Sequence, residues 1–274
     1  MLEKLNYKKR YRRIAQLGSL VAYNSYFFSA LKACPVPGLN CYACPLAVGA
    51  CPIGSLQHFM IIERIPFFLI GFFTLIGGLI GRMVCGWLCP IGWLQEMIHK
   101  IPSPKWRIKF RPLRYLKYII LVGLVLIIPY VTKAPWFSKL CFVGTLEAGI
   151  PLALFDGSIR SMIGTLFFVK LAITLVLLGL FVFVKRPFCR FLCPLGAIYS
   201  VFNRFSYFHL DVADSCNNCN RCQDICPVDL KVYEEPNSTE CIRCLECTTC
   251  ESVNFCAGKK KEQTISEKGD EIYA

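Results

Sequence analysis

The sequence predicts a mainly α protein: a four-helix transmembrane bundle made of two tandem two-helix repeats, followed by a small C-terminal domain. Three features lead there. The 274 residues are 55% hydrophobic, too apolar for an ordinary soluble domain of this length. The apolar residues fall in blocks, and a cysteine motif recurs after two of those blocks.

Four blocks approach the roughly 20 residues that carry a helix across a bilayer core: 14–33, 66–83, 115–131 and 162–184. The last three are runs of Leu, Ile, Phe, Val and Gly. The first is interrupted by Gln16, Asn24 and Ser25, which suits a helix packed inside the bundle with its polar groups turned toward neighbours. A rival reading of this segment is a signal peptide with Cys34 as the processed residue, against which Lys32 and the poor apolar core both count. Lysine and arginine mark the cytoplasmic side. They crowd residues 1–13 and the connection from Lys100 to Lys117, whereas Arg64 stands between the first two blocks and Lys133, Lys139 and Arg160 between the last two. Both termini are therefore expected in the cytoplasm of a multi-pass inner-membrane protein, with 1–13 a basic cytoplasmic tail. The formal charge of +13 is explained by such loops meeting anionic lipid headgroups and calls for no nucleic acid.

The repeat reads Arg82-Met-Val-Cys85-Gly-Trp-Leu-Cys89-Pro90-Ile91-Gly92 and Arg186-Pro-Phe-Cys189-Arg-Phe-Leu-Cys193-Pro194-Leu195-Gly196, the mark of a duplicated unit. Each copy leads into a short amphipathic stretch, 93–101 and 197–205, suited to the inner membrane surface. Two copies crossing in the same direction are related by an axis along the membrane normal. That symmetry gathers Cys85, Cys89, Cys189 and Cys193, a donor set for a [4Fe-4S] cluster. The alternative is four buried thiols acting as small hydrophobes.

The C-terminal segment reads Cys216-x2-Cys219-x2-Cys222-x3-Cys226-Pro227 and then Cys241-x2-Cys244-x2-Cys247-x2-Cys250. This is close to the spacing that wraps two cubane clusters in a bacterial ferredoxin, where the fourth cysteine of each run serves the other run's cluster. Residues 210–258 are thus expected to be a cytoplasmic ferredoxin-like di-cluster domain, joined to a transmembrane domain at 14–209. One cluster takes Cys216, Cys219, Cys222 and Cys250, the other Cys226, Cys241, Cys244 and Cys247. The gap before Cys250 is one residue short of the standard pattern, and Cys256 is the alternative ligand. A zinc ribbon needs two pairs with a longer gap. Residues 259–274 are charged and expected to be disordered.

Five more cysteines, Cys34, Cys41, Cys44, Cys51 and Cys141, lie in connections on the other side. These connections are rich in Gly and Pro and nearly free of charge, as re-entrant loops are. Two readings stand here: a fourth cluster held by all of the first four, or by three of them plus Cys141, and disulfides formed on an oxidising face. His58, Glu63 and Glu147 near the same face are candidates for a quinone site, and interfacial residues otherwise. His58, His99 and His209 are too scattered to bracket a haem, and no Gly-x-Gly-x-x-Gly fingerprint is present.

The paired Cys-x3-Cys-Pro motifs, four helices and two ferredoxin-like runs resemble the membrane-bound polyferredoxins typified by NapH, MauN and the membrane portion of NosR, with CcoG more distant. The resemblance runs from Arg82 to Cys250 and implies electron transfer at the cytoplasmic membrane, from the quinol pool or a cytoplasmic donor such as a ferredoxin toward an extracytoplasmic redox enzyme. It further implies the other subunits of a redox complex as partners. The cysteine-rich first loop, the shortened second run and the absence of a large flavin-bearing or periplasmic domain depart from the family pattern. Two competing classes are a quinone or copper-ion reductase in its own right and a thiol–disulfide conduit cycling Cys41 and Cys44. A structural anchor would leave Cys85 and Cys193 unused.

Overall fold

The computed structural model describes residues 2–25, 32, 34–108, 111–161 and 163–258. Residues 26–31 and 33 of the first expected span, Lys109, Met162 and the expected disordered tail at 259–274 lie outside it. The described chain is mainly helical. Two helices, Pro112–Thr132 and Thr165–Phe183, are long and apolar enough to cross a membrane, and only 17% of each apolar window is buried. The core helix of a water-soluble protein would hide its apolar residues, yet Ile119, Val131, Leu175 and Val176 are exposed. Hydrocarbon accommodates such faces and water does not.

Phe67–Ile80 is also apolar, exposing Phe67, Phe68 and Leu75, but has only 14 residues. It stops short of the expected 66–83 because the chain turns at Gly81, whose φ of 56° lies in the left-handed region. A Cβ there would stand 2.5 Å from Asn203 Oδ1, the oxygen that accepts the Arg82 N–H at 2.8 Å. Phe142–Phe155 is a further short apolar helix.

The first helix differs most from expectation. It runs Leu2–Tyr23, so the basic stretch expected as a tail forms its first half. Lysine and arginine are good helix formers, and Arg12 is buried between Glu96 and Glu246, the latter at 2.8 Å. Gln16 is fully buried and donates to the Gly86 carbonyl at 3.0 Å. The two amphipathic stretches are the helices Pro90–His99 and Pro194–Phe202, each opened by a proline at its first turn. Strands Phe208–Val212 and Val253–Ala257 pair antiparallel, His209 opposite Cys256, and so close off the cysteine-rich segment between them.

Candidate functional site

Cys89 and Cys193 are the N-caps of Pro90–His99 and Pro194–Phe202, both with extended backbone. Cys85 and Cys189 sit on the turns just before them, and all four are buried. Burial first, then the neighbouring Cys189 and Cys85, push the Cys89 thiol up to about 12; Cys193 is raised by burial and the same two neighbours. The fold thus brings the four expected ligands within electrostatic reach of one another. Gln95 Nε2 donates to Cys189 Sγ at 3.0 Å, and the Gly196 N–H donates to Cys193 Sγ at 3.3 Å.

Four crowded thiolates in an apolar interior require positive charge among them. Two arginines, both fully buried, supply it. Arg82 opens the first motif yet donates to the carbonyl of Cys189 in the second; Arg186 opens the second and donates to the Cys85 carbonyl at 3.0 Å. The glycine closing each motif makes room for this, since a Cβ on Gly92 would lie 3.0 Å from Arg186 Nη1 and one on Gly196 3.0 Å from Arg82 Nη2. Each arginine then meets a carboxylate, Arg82 with Glu240 at 3.2 Å and Arg186 with Glu96 at 2.8 Å. Arg82 Nε is buried with no hydrogen-bond partner. These residues fit an anionic thiolate-ligated cluster. The role of the two arginines, of Gln95 and of their carboxylates was missed by sequence reasoning, although arginine and glycine at fixed places in both copies were the signal.

In the C-terminal segment Cys226, Cys241, Cys244 and Cys247 are buried, and burial followed by Cys244, Cys241, Cys226 and Cys222 raises Cys247. Of the other expected set, Cys222 neighbours Cys216, Cys219 is exposed, and Cys250 is half-buried at the end of the turn begun by Cys247. Cys256 lies in the second strand. This segment packs directly on the first motif: a Cβ on Gly86 would meet the Ile242 carbonyl at 2.5 Å and Cys244 Cα at 3.4 Å. The equivalent residue of the second motif, Arg190, instead faces Asp229 at 3.6 Å. Among the described residues, no three His, Cys, Asp or Glu side chains converge on a single-ion site.

Of the remaining cysteines, Cys41, Cys51 and Cys141 line a cavity of about 300 Å³. Cys44 is buried beside Ala47 and Ala148, Cys34 is exposed, and all the cysteines are free. The loop that carries Cys34 to Cys51 passes beside the Cys89 turn. A Cβ on Gly38 would lie 3.5 Å from Cys89 Cα, the Leu39 N–H faces Cys89, and the next N–H, that of Asn40, faces Cys51. Of the quinone-site candidates, Glu147 accepts the Cys41 N–H at 2.7 Å, Glu63 pairs with exposed Lys133, and His58 stands edge-on to Phe59.

A chain whose buried thiols are gathered at two copies of one cysteine motif is an iron–sulfur protein in class. A 4Fe-4S binding domain matches residues 64–109 and again 166–212. An uncharacterized protein of Methanocaldococcus jannaschii is 32% identical over 178 residues, 62% of this chain and 68% of that one. Regulatory protein NosR of Stutzerimonas stutzeri is 32% identical over 61% of this chain, which spans only 23% of NosR. The methylamine utilization ferredoxin-type protein MauN of Methylobacillus flagellatus is 31% identical over 50% of this chain and 43% of its own length. No solved structure matches. The chain belongs to the membrane-bound polyferredoxin family of 4Fe-4S electron-transfer proteins.

Proposed function

We propose that this chain carries electrons across or along the cytoplasmic membrane, between a ferredoxin-like cytoplasmic donor or the quinone pool and a redox partner on the opposite side. Four membrane segments in two tandem two-helix repeats, with both termini cytoplasmic, would hold the sites in line. Cys216, Cys219, Cys222 and Cys250 hold one [4Fe-4S] cluster, Cys226, Cys241, Cys244 and Cys247 a second, and Cys85, Cys89, Cys189 and Cys193 a third. Each cluster supplies a one-electron site and no proton chemistry. The observation that carries this reading is the seat of Cys244 on Gly86, which sets the inner tail thiols against the membrane-mouth thiols. Arg82 and Arg186 offset the thiolate charge there, and burial of all four cysteines keeps water out.

The test is iron and acid-labile sulfide per chain on anaerobically purified protein, with EPR after dithionite reduction, for the parent, Cys193→Ser and Cys244→Ser. Each variant should lose about four irons. Unchanged iron in Cys193→Ser would confine the electron chemistry to the tail.

A further inference from the structure

Two cysteine turns on the outer side repeat the inner ones. The four segments are Cys51-Pro-Ile-Gly54-Ser-Leu-Gln57, Cys89-Pro-Ile-Gly92-Trp-Leu-Gln95, Cys141-Phe-Val-Gly144-Thr-Leu-Glu147 and Cys193-Pro-Leu-Gly196-Ala-Ile-Tyr199. The first and second differ at one residue of seven. Each cysteine is a helix N-cap with nearly the same backbone: φ and ψ are −62° and 122° at Cys51, −86° and 114° at Cys89, −68° and 122° at Cys141, and −75° and 112° at Cys193. In every case the N–H of the glycine three residues on faces the thiol, an arrangement that favours thiolate.

The side chain six residues after each cysteine ties the turn to its surroundings. Gln95 accepts the Phe188 N–H at 3.2 Å, next to Cys189. Gln57 accepts the Ser138 N–H at 3.2 Å, three residues before Cys141, and Glu147 accepts the Cys41 N–H at 2.7 Å. On the inner side each turn has a second cysteine four residues upstream. On the outer side Cys41 joins Cys51, and a Cβ on Gly144 would lie 3.4 Å from Cys41 Sγ, which brings that sulfur to the Cys141 turn. The Cys141 turn has no upstream cysteine of its own; Phe137 stands at the equivalent position, four residues before it.

We infer that Cys41, Cys51 and Cys141 would hold a further [4Fe-4S] cluster, with three cysteine ligands, at the cavity that these residues line. This rests on reading the inner four cysteines as a cluster site. The outer thiols are free rather than paired. Glu147 Oε1 is buried without a hydrogen-bond partner, and its carboxylate lies within electrostatic reach of Cys41 and Cys51. The adjacent N–H groups of Leu39 and Asn40 serve Cys89 and Cys51, so those sulfurs are at most about 10 Å apart, two hydrogen-bond lengths and one residue step end to end.

The experiment counts iron and sulfide on the full chain, purified anaerobically, for the parent, Cys141→Ser, Cys34→Ser and Cys193→Ser. Cys141→Ser should lose about four irons while keeping the tail EPR signals, and Cys34→Ser should lose none. Added cyanide should shift the EPR signal of the cluster that Cys141→Ser removes. Iron unchanged in Cys141→Ser overturns the outer site but not the electron-carrier reading, provided that Cys193→Ser loses its share; if Cys193→Ser also keeps its iron, both fall. Should Cys141→Ser not fold, the parent decides: about sixteen irons support four sites and about twelve exclude the outer one.

Discussion

Arg82 and Arg186 close each other's cysteine turns, the guanidinium of each motif donating to a main-chain carbonyl of the other. Neither motif is complete alone. Removing one arginine strips a carbonyl of its donor and leaves a carboxylate short of charge in the interior. Glu240, 5% exposed, would keep Lys117 alone after Arg82→Gln. Breaking a buried ion pair by deleting one partner costs about 3–5 kcal/mol. Arg82→Gln is therefore expected to lower thermal stability in detergent by that amount and to lose iron from the Cys85 and Cys193 site. Adding Glu240→Gln should recover part of the stability, and a single variant as stable as the parent would refute the coupling.

The seat of the tail domain is equally narrow. A Cβ at Gly86 meets the backbone of Ile242 and Cys244, and backbone cannot rotate away as a side chain can. Overpacking of this kind costs about 1–3 kcal/mol. In Gly86→Ala the iron content should stay at the parental value while hydrogen exchange across residues 241–247 speeds up. Exchange unchanged from the parent would mean that the tail docks elsewhere.

Much of this was legible because cysteine spacing and apolar blocks are local signals. The cysteines that the fold brings near one another, Cys85 with Cys89, Cys189 and Cys193, and Cys247 with Cys226, Cys241 and Cys244, stand at spacings visible without coordinates. The helical state of residues 2–13 could not, since it follows from Arg12 finding Glu96 and Glu246, both far away in sequence. Nor could the arginine exchange, in which each partner lies about a hundred residues from its carbonyl. The outer copies of the cysteine turn were visible all along in Cys51–Gln57 and Cys141–Glu147, but Phe142 replaces proline and the upstream cysteine is displaced or absent, so no shared Cys-x3-Cys spacing announced them.

Acid should loosen the contact between the first helix and Pro90–His99. Burial disfavours charge on Glu96, but Arg186 and then Arg12 outweigh it and hold the carboxyl below the ordinary 4.5; Glu240 is lowered in the same sense, burial again opposed by Arg82 and Lys117. A depressed acid stabilises the fold above its unfolded pKa, and that gain is lost as pH falls through the folded value. Glu246 moves the other way, raised by burial with Arg12 only partly offsetting it, so its protonation does not contribute to the loss. The contribution of Glu96 and Glu240 should be intact above about 4.5 and be lost as pH falls below it. An acid titration by tryptophan fluorescence should show a smaller decline for Glu96→Gln than for the parent; equal declines would assign the acid sensitivity to other groups.

The amide of Gln95 offers a way to tune the inner site without removing a ligand. Its Nε2 lies 3.0 Å from Cys189 Sγ, and its Oε1 accepts the Phe188 N–H. A hydrogen bond to a cluster thiolate withdraws electron density and raises the reduction potential. Gln95→Leu keeps the volume near parental, removes that donor and leaves the Phe188 N–H unpaired, which costs about 1–3 kcal/mol. The expected result is full iron content, a lower melting temperature and a more negative potential for one cluster alone in an EPR-monitored redox titration. Gln57→Leu is the matched comparison, because its amide donates to the Leu124 carbonyl at 3.4 Å and, among the described residues, to no sulfur; it should leave the inner potential where it was. If both variants shift the inner potential alike, the effect is a general loosening of the bundle and Gln95 has no special hold on Cys189.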